Sequence, residues 1–372
     1  MDQRITNRRR EAHVPPTVRG YLLLADITGY TSFMAGTELE HAQAVVQEVN
    51  DLVINSLTPT MTLAEVEGDA VFVYSPLEMI SRGEGLVELV ENTYVRFRIQ
   101  REVMNARTTC TCKACVAIPN LDLKFVVHIG EFVMQSYGLQ QKPVGSDVNL
   151  SHRLLKNSVT GATGWTAYAL FTQKSLEAMG IQLSGLFEST ESYEHFPPLQ
   201  ACSLNLATRY KEIIDTRRYL LRPEEVDHSF TMNFACPPFI VWEWLNDLNK
   251  RSQWGQKGST WTGRERLSGR TSVGATNHCA HGSGESFEKI LDWRPFEYIA
   301  SEYTGAPVTV IFTNRLDAHN SGTRLTWQVH FKKNIPRLVR RPLTQFISKR
   351  FIRMQKYYEV MRDLIEKNQN AN

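Results

Sequence analysis

Long apolar runs are missing: nowhere in the 372 residues do about 18 consecutive apolar side chains occur, so no bilayer-spanning helix is encoded. An excess of either charge is missing too. With 42 Lys and Arg against 39 Asp and Glu the net charge is +3, which gives no global attraction to nucleic acid and removes that class of partner. Cysteine is scarce, at six residues, too few for a disulfide scaffold in a chain of this size. The basic leader Arg8-Arg9-Arg10 runs into Glu11 rather than an apolar segment, which argues against a secretory signal. The expectation is a cytoplasmic protein with no membrane insertion and no nucleic-acid partner.

What is present is length enough for two cores, and two domains of roughly 150 to 200 residues are expected. Across residues 18–206 strands and helices alternate. Tyr21-Leu22-Leu23-Leu24-Ala25-Asp26-Ile27 reads as a strand, and Thr28-Gly29-Tyr30 turns toward a helix over about 38–57. On that helix Ala42, Val45, Val46, Val49, Leu52 and Val53 recur at helical spacing, so one face is expected to be buried. Residues 61–66 and 70–74 make a hairpin about Gly68. A second helix spans about 85–105, and residues 121–129 alternate as a strand that Gly130-Glu131 is expected to turn over into Phe132-Val133-Met134. A further helix, about 147–156, follows Gly145. This order suits an α+β fold whose ferredoxin-like mixed sheet is covered by helices. Residues 207–225, with Arg209, Lys211, Arg217 and Arg218, read as a linker.

From residue 226 to 368 the texture changes. A strand at 228–234 is followed by Pro237-Pro238, which opens a helix carrying Phe239, Trp242 and Trp244, and then by strand-like runs from about 262 to 331. After Pro342 a single long helix is expected, with Leu343, Phe346, Ile347, Phe351, Met354, Tyr358, Met361 and Ile365 forming one apolar stripe against the sheet. Its basic residues Arg337, Arg340, Arg341, Lys349, Arg350 and Arg353 read as the solvated face. A curved sheet wrapped on such a helix commonly leaves a cavity, expected here to be lined by the stripe and by Trp261 and Trp293.

Two groups of residues point to chemistry. Asp26 at a strand end and Asp69 in the hairpin turn Glu67-Gly68-Asp69 come together if the two segments neighbour each other in one sheet, and paired carboxylates are what a two-metal phosphoryl-transfer site needs. Cys110, Cys112 and Cys115 form C-x-C-x-x-C, a spacing at which thiolates converge on zinc. A closed zinc site takes a fourth ligand, which the sequence leaves open between His128, Cys202 and a residue of another subunit. Free thiols in a reducing loop are the plainer alternative.

Four segments, in this order, make the first half similar to the class III nucleotidyl cyclase catalytic domain in a divergent form. They are Ala25-Asp26-Ile27-Thr28-Gly29-Tyr30-Thr31, Glu67-Gly68-Asp69-Ala70-Val71-Phe72, Val127-His128-Ile129-Gly130-Glu131, and Gly145-Ser146-Asp147-Val148-Asn149-Leu150-Ser151-His152-Arg153-Leu154. The resemblance implies that Asp26, Asp69 and the adjacent Ile27 hold two Mg2+ or Mn2+ ions, and that the backbone of Thr28, Gly29 and Tyr30 offers amides to the phosphates. Asn149 matches the family's ribose-orienting asparagine and Arg153 its transition-state arginine. The plainer alternatives are turn aspartates without metal, a helix-capping Asn149 and an Arg153 paired with a surface carboxylate. At the base-reading positions stand Glu65, as in guanylyl cyclases, and Lys142; these two either read guanine or pair with each other and close the pocket. No lysine for the triphosphate is assignable late in the domain, and His128 is expected to be structural. Family sites form between two catalytic domains, so a homodimer is implied.

The second half resembles, by architecture, the START-like, polyketide-cyclase-like helix-grip family (SRPBCC), whose members mostly bind apolar ligands. The leading expectation is a nucleotidyl cyclase that forms cGMP or cAMP and pyrophosphate from a nucleoside triphosphate, with a small apolar ligand in the C-terminal domain regulating it. The alternative is a catalytically inactive cyclase-like module that binds nucleotide or dimerises beside a hydrophobic-ligand carrier. A third class, a helix-grip enzyme, has acid–base candidates by residue type alone in His278, His281, Glu285, Glu288 and Asp292.

Overall fold

Every side chain from Tyr21 to Ala25 is buried because strand β1 (Thr17–Thr28) is covered on both faces, which an unbroken apolar run requires. The computed structural model describes residues 15–371 apart from 108–109, 139, 217, 267–268, 283, 306–308, 321, 333–336 and 349–351. The leader Arg8-Arg9-Arg10, Arg217, Lys349, Arg350, Phe351 and the side chains of Arg337 and Arg341 therefore lie outside the described residues.

After β1 come α1 (Tyr30–Gly36), α2 (Leu39–Leu57), β2 (Thr62–Glu67), β3 (Ala70–Pro76), α3 (Gly83–Arg107), α4 (Lys113–Ala117), β4 (Asp122–Tyr137), β5 (Gln140–Val144), α5 (Ser146–Arg153), α6 (Val159–Thr163), β6 (Tyr168–Thr172), α7 (Gln173–Met179), β7 (Phe187–Glu191), β8 (Leu199–Asn205) and α8 (Leu206–Asp215). Their strands form one mixed sheet in the order β2-β3-β1-β4-β6-β8-β7, with β5 paired to β4. The antiparallel block β2-β3-β1-β4 has the order of a split β-α-β pair, as the ferredoxin-like expectation requires, and β4 with β6 is parallel. Residues Tyr21, Leu23, Ala25 and Ile27 pack on one side with Ala42, Val45, Val46, Val49 and Val53 of α2, the face that periodicity marked. Leu22 and Leu24 pack on the other with Phe72, Phe132 and Val148 of α5.

Gly130 makes no turn. Strand β4 runs straight through it, with Gly130 opposite Gly20, and a Cβ at this position would come 2.2 Å from Cβ of Asp147. The glycine lets the start of α5 approach the strand, which is why a turn signal was misleading here.

The second sheet is antiparallel throughout. Its elements are β9 (His228–Phe234), α9 (Pro238–Asn246), α10 (Leu248–Trp254), β10 (Ser259–Gly263), β11 (Thr276–His281), β12 (Gly284–Arg294), β13 (Tyr298–Thr304), β14 (Val310–His319), β15 (Gly322–Phe331), α11 (Arg337–Ile347) and α12 (Met354–Ala371), with strand order β10-β11-β12-β13-β14-β15-β9. The expected single helix after Pro342 is two helices, and Pro342 lies inside the first. Arg340 ties α11 to Asp227 just before β9, Nε to Oδ1 2.6 Å, so it is no solvated residue; the chain then changes direction at Arg353, whose φ is 54°. Only the later part of the stripe is core: Tyr358, Met361 and Ile365 pack with Leu325, Trp327, Val329 and Phe331, whereas Leu343 and Phe346 are exposed.

Among the described residues no closed apolar cavity of the expected kind lies beneath α12, but at the start of that helix an open, largely polar pocket of about 320 Å³ is lined by His228, Phe230, Trp327, Met354, Gln355 and Glu359. The space left around Tyr358 is about 20 Å³, room for about one water, and Arg251, Glu288 and Tyr303 give it a polar wall. Trp261 is covered by the Arg251 guanidinium, 3.7 Å from its ring centre, and Trp293 packs on Trp242 at the junction of the two domains. No helix among the described residues is long and apolar enough to cross a membrane.

That junction is built on α3, which is buried on nearly every side along its first half. Glu88 accepts hydrogen bonds from Trp242 Nε1 (3.1 Å) and Trp293 Nε1 (2.9 Å) of the second domain and pairs with Arg82, which also reaches Glu243 (3.0 Å). Glu91 is held by Arg270 (2.7 Å) and Arg209 (2.9 Å), the latter on α8 at the start of the connecting stretch 207–225. Burial pushes Glu88 up to about 7 despite Arg82 beside it. Removing the arginine would leave Glu88 without its cation and Glu243 with Lys250 alone, a loss of about 3 kcal/mol. Arg82→Met should therefore lower the free energy of urea unfolding, followed by tryptophan fluorescence, by about that amount; a change below about 0.5 kcal/mol would show that the network is not holding the domains together.

Candidate active site

Backbone register brings the two aspartates together. In the β1–β3 ladder Asp26 is opposite Ala70, so Asp69, the preceding residue, stands beside Asp26 at the tip of the hairpin. The tip is a tight turn with Gly68 at φ 63°, and Asn50 of α2 fastens it by donating to the Gly68 carbonyl at 3.1 Å. The Asp69 carboxyl is pushed from its ordinary 3.8 to about 6, first by burial and then by the Asp26 carboxylate, with Lys124 pulling the other way. Lys124 is opposite Asp26 in the β1–β4 ladder; its Nζ lies 3.0 Å from Asp26 Oδ2 and donates to the Leu155 carbonyl at 3.2 Å.

Lys124 was missed in the sequence. Alternation along β4 gave a signal, because Leu123, Phe125 and Val127 face the α2 core and Lys124, Val126 and His128 must face the other way. What the sequence does not carry is that this other face of β4 adjoins Asp26.

The donor set suits a hard divalent ion. Two carboxylates converge, and their mutual repulsion, one cause of the raised Asp69 pKa, is what a bound cation would relieve. The Thr28 hydroxyl in the same loop is buried with no hydrogen-bond partner among the described residues. Thr28, Gly29 and Tyr30 form the turn from β1 into α1, with Gly29 at φ 90° and a Cβ there only 3.1 Å from the Asn120 carbonyl. Ile27 is buried between them and Asp26. Lys124 reduces the formal charge of the ionised pair to −1, so it weakens the field that a first ion would feel.

Glu65 on β2 and Lys142 on β5 form an ion pair that the sequence left as one of two possibilities. Among the described residues only Oε2 of Glu65 is engaged, and both side chains remain partly exposed. Asn149 and Arg153 lie on α5, exposed, and neither side chain has a hydrogen-bond or ion-pair partner among the described residues. The helix N-cap is Gly145, so Asn149 is not a cap, and Arg153 is not in a surface ion pair. The structure does not join either residue to Asp26 or Asp69 within the chain. Asp147, beside them, is fixed: its carboxylate accepts from the Glu131 amide at 2.7 Å and meets His128 Nε2 at 3.3 Å, while His128 Nδ1 lies 3.0 Å from Thr172 Oγ1. His128 thus anchors α5 to the sheet, as a structural histidine would.

The acid–base candidates of the second domain are committed elsewhere. Glu288 accepts from Arg251, Tyr303 and Asn277, and Asp292 from Arg294 and the Tyr219 amide. His278 and Glu285 pair across the β11–β12 hairpin at 3.0 Å, and the ring of His281 stands against Gly284 in the same turn.

Residues 46–163 match the model of a family described as "Protein of unknown function (DUF2652)". Over 103 residues the chain is 39% identical to an uncharacterised protein of Mycobacterium tuberculosis, a match that takes in 27% of this chain and 46% of that protein. The chain thus spans about half the length of the curated relative it matches. Among solved structures it is similar to the guanylyl cyclase Cya2, with 17% identity and a TM-score of 0.40 over 51% of this chain and 92% of that one. It is also similar to the adenylyl cyclase CyaB from P. aeruginosa, with 16% identity and a TM-score of 0.40 over 56% of this chain and 100% of that one.

The raised Asp69 has a consequence for stability. A carboxyl whose folded-state pKa stands above its unfolded value binds protons more readily when folded, so its contribution is fully present below about 4 and is lost as pH rises through about 6. In buffer freed of Mg2+ and Mn2+, Asp69→Asn should raise the melting temperature relative to the parent at about pH 7.5 and leave it nearly unchanged at about pH 4. An equal difference at both pH values would mean that the two carboxylates do not repel each other.

Proposed function

We propose that the first domain is a metal-dependent nucleotidyl cyclase that converts a nucleoside triphosphate, GTP ahead of ATP, into a cyclic nucleotide and pyrophosphate within a homodimer. The observation that carries this reading is the Asp26–Asp69 pair, with one carboxyl raised in pKa by burial and then by the other. Bound Mg2+ or Mn2+ would supply charge neutralisation at the phosphates and lower the pKa of the ribose 3′-hydroxyl. Asp26, Asp69 and the Ile27 carbonyl would hold the ions, and the amides of Thr28, Gly29 and Tyr30 would border the phosphates. Arg153 and Asn149 are free to enter the site of a second chain. There the guanidinium donates to the α-phosphoryl oxygens as charge builds up, and the amide orients the ribose. The 3′-oxygen attacks the α-phosphorus, the bond from the α-phosphorus to the bridging oxygen breaks with pyrophosphate leaving, and the hydroxyl proton passes to solvent.

Base choice follows from the Glu65–Lys142 pair. A carboxylate accepts from both N1–H and N2–H of guanine while the ammonium donates to O6, three hydrogen bonds against the two that adenine offers through N6 and N1. The unengaged oxygen of Glu65 and the remaining protons of Lys142 leave that edge usable. The second domain serves in this reading as a brace on α3, through Trp242, Trp293 and Arg270.

A second reading, a module that binds nucleotide without turning it over, is favoured by the Lys124–Asp26 ion pair, which occupies one lobe of a metal-binding carboxylate. Turnover separates the two. Purified protein with Mn2+ and each nucleoside triphosphate in turn should give cyclic nucleotide detectable by mass spectrometry, fastest with GTP. Asp26→Ala and Asp69→Ala should lower the rate by at least about a hundredfold, since each removes a metal ligand and no core volume. No product with any triphosphate, alongside Mn2+-dependent nucleotide binding, would establish the second reading.

A further inference from the structure

Outside the reaction proposed above, four soft ligands meet at one point. His41, in the first turn of α2, places Nδ1 3.1 Å from Cys112 Sγ, 3.8 Å from Cys110 Sγ and 3.9 Å from Cys115 Sγ. All four ligand atoms lie within 4.8 Å of one another. One imidazole nitrogen has a single proton or lone pair to share, so hydrogen bonding does not account for three sulfurs gathered around it. A tetrahedral ion does: with Zn–S about 2.3 Å and Zn–N about 2.0 Å, ligand-to-ligand edges are about 3.5 to 3.8 Å. The spacing is too tight to enclose an iron–sulfur cluster, whose ligands stand on different irons.

The surroundings are those of a thiolate site. The Cys112 amide points at Cys110 Sγ and the Cys115 amide at Cys112 Sγ, each at 3.5 Å, so backbone dipoles face the sulfurs that would carry negative charge. Cys112 is the N-cap of α4, and Glu38, just before α2, accepts from the Ala114 amide at 3.2 Å, which closes the same junction from the other side. Of the fourth ligands that the sequence left open, His128 is engaged with Thr172 and Asp147, and Cys202 faces Gln173.

We infer that His41, Cys110, Cys112 and Cys115 hold one structural zinc ion in a closed Cys3His site that staples the start of α2 to α4. The four ligands fill a tetrahedron, which leaves no open position for a substrate, so the site is structural and not catalytic. Its staple spans two segments 69 to 74 residues apart. Just after α4 the chain presents the Asn120 carbonyl to Gly29, so the ion also braces, from behind, the turn that follows Asp26.

Full-length protein purified without chelator should contain about one zinc per chain by plasma mass spectrometry. Replacement by Co2+ should give thiolate-to-cobalt charge-transfer absorption and the intense d–d bands of a tetrahedral site. Cys112→Ser should abolish stoichiometric zinc, and His41→Ala should weaken it by about tenfold or more and change the cobalt bands, whereas His41→Cys, which keeps four soft ligands, should retain it. Because a variant can fail to fold, the parent protein gives a second readout: a zinc chelator should release the metal, lower the melting temperature and render Cys110, Cys112 and Cys115 reactive to a thiol reagent. Protein that stays zinc-free after expression in zinc-supplemented medium, a disulfide among the three cysteines, or unchanged zinc affinity and cobalt spectrum in His41→Ala would each overturn the assignment.

Discussion

Two like charges are held side by side at the end of β1 by backbone hydrogen bonds that neither charge can break. The β1–β3 ladder fixes Asp26 opposite Ala70, the hairpin turn leaves Asp69 no route away, and Asn50 fastens that turn from α2. Burial and, after it, repulsion from Asp26 therefore raise the Asp69 pKa. The same ladder system delivers Lys124 from β4 to the other side of Asp26, and the lysine in turn reaches Leu155 at the end of α5. Carboxylates, ammonium and the helix that carries Asn149 and Arg153 thus share one face of the sheet, the face that Leu22 and Leu24 mark as inward.

The opposite face depends on a different set of charges. Helix α3 lies between the first sheet and the second domain, and its apolar sides are buried by both. The carboxylates of Glu88 and Glu91 are buried with them and are satisfied by groups from elsewhere: two indoles and Arg270 of the second domain, and Arg82 and Arg209 of the first. Buried carboxylates with such fixed partners specify one docking of the two domains more sharply than apolar contact would. Within the second domain Tyr358 donates to Asn314 Oδ1 at 2.6 Å, and Glu288 is saturated by Arg251 and Tyr303 beneath α12. It reads as a brace for α3 and through it for the sheet.

Much of this was legible in the residues. The spacing of Ala42, Val45, Val46, Val49 and Val53 marked the buried face of α2, and the hairpin about Gly68 with the run ending at Asp26 brought two carboxylates together wherever the two segments are neighbours in one sheet, as they are. Features that needed a third dimension were not. His41 stands 71 residues from Cys112, and nothing in local pattern ties a first-turn helix histidine to a cysteine loop. Lys124 was visible as a polar residue in an alternating strand, but which strand it adjoined was a matter of topology. Gly130 read as a turn because close approach and chain reversal both call for glycine. The stripe after Pro342 read as one helix, since three- and four-residue spacing persists across the change of direction at Arg353.

The central claim is that Asp26 and Asp69 of one chain act on a nucleotide together with Asn149 and Arg153 of another. Cyclic-nucleotide formation by co-expressed Asp26→Ala and Arg153→Ala chains tests it most directly, because a heterodimer of the two carries one site with every group intact. Each variant alone should be inactive, and the co-expressed pair should recover about one quarter of the parent activity, as random pairing with one intact site in half the dimers requires. A co-expressed pair as inactive as either variant alone, beside an active parent, would contradict a site shared between chains.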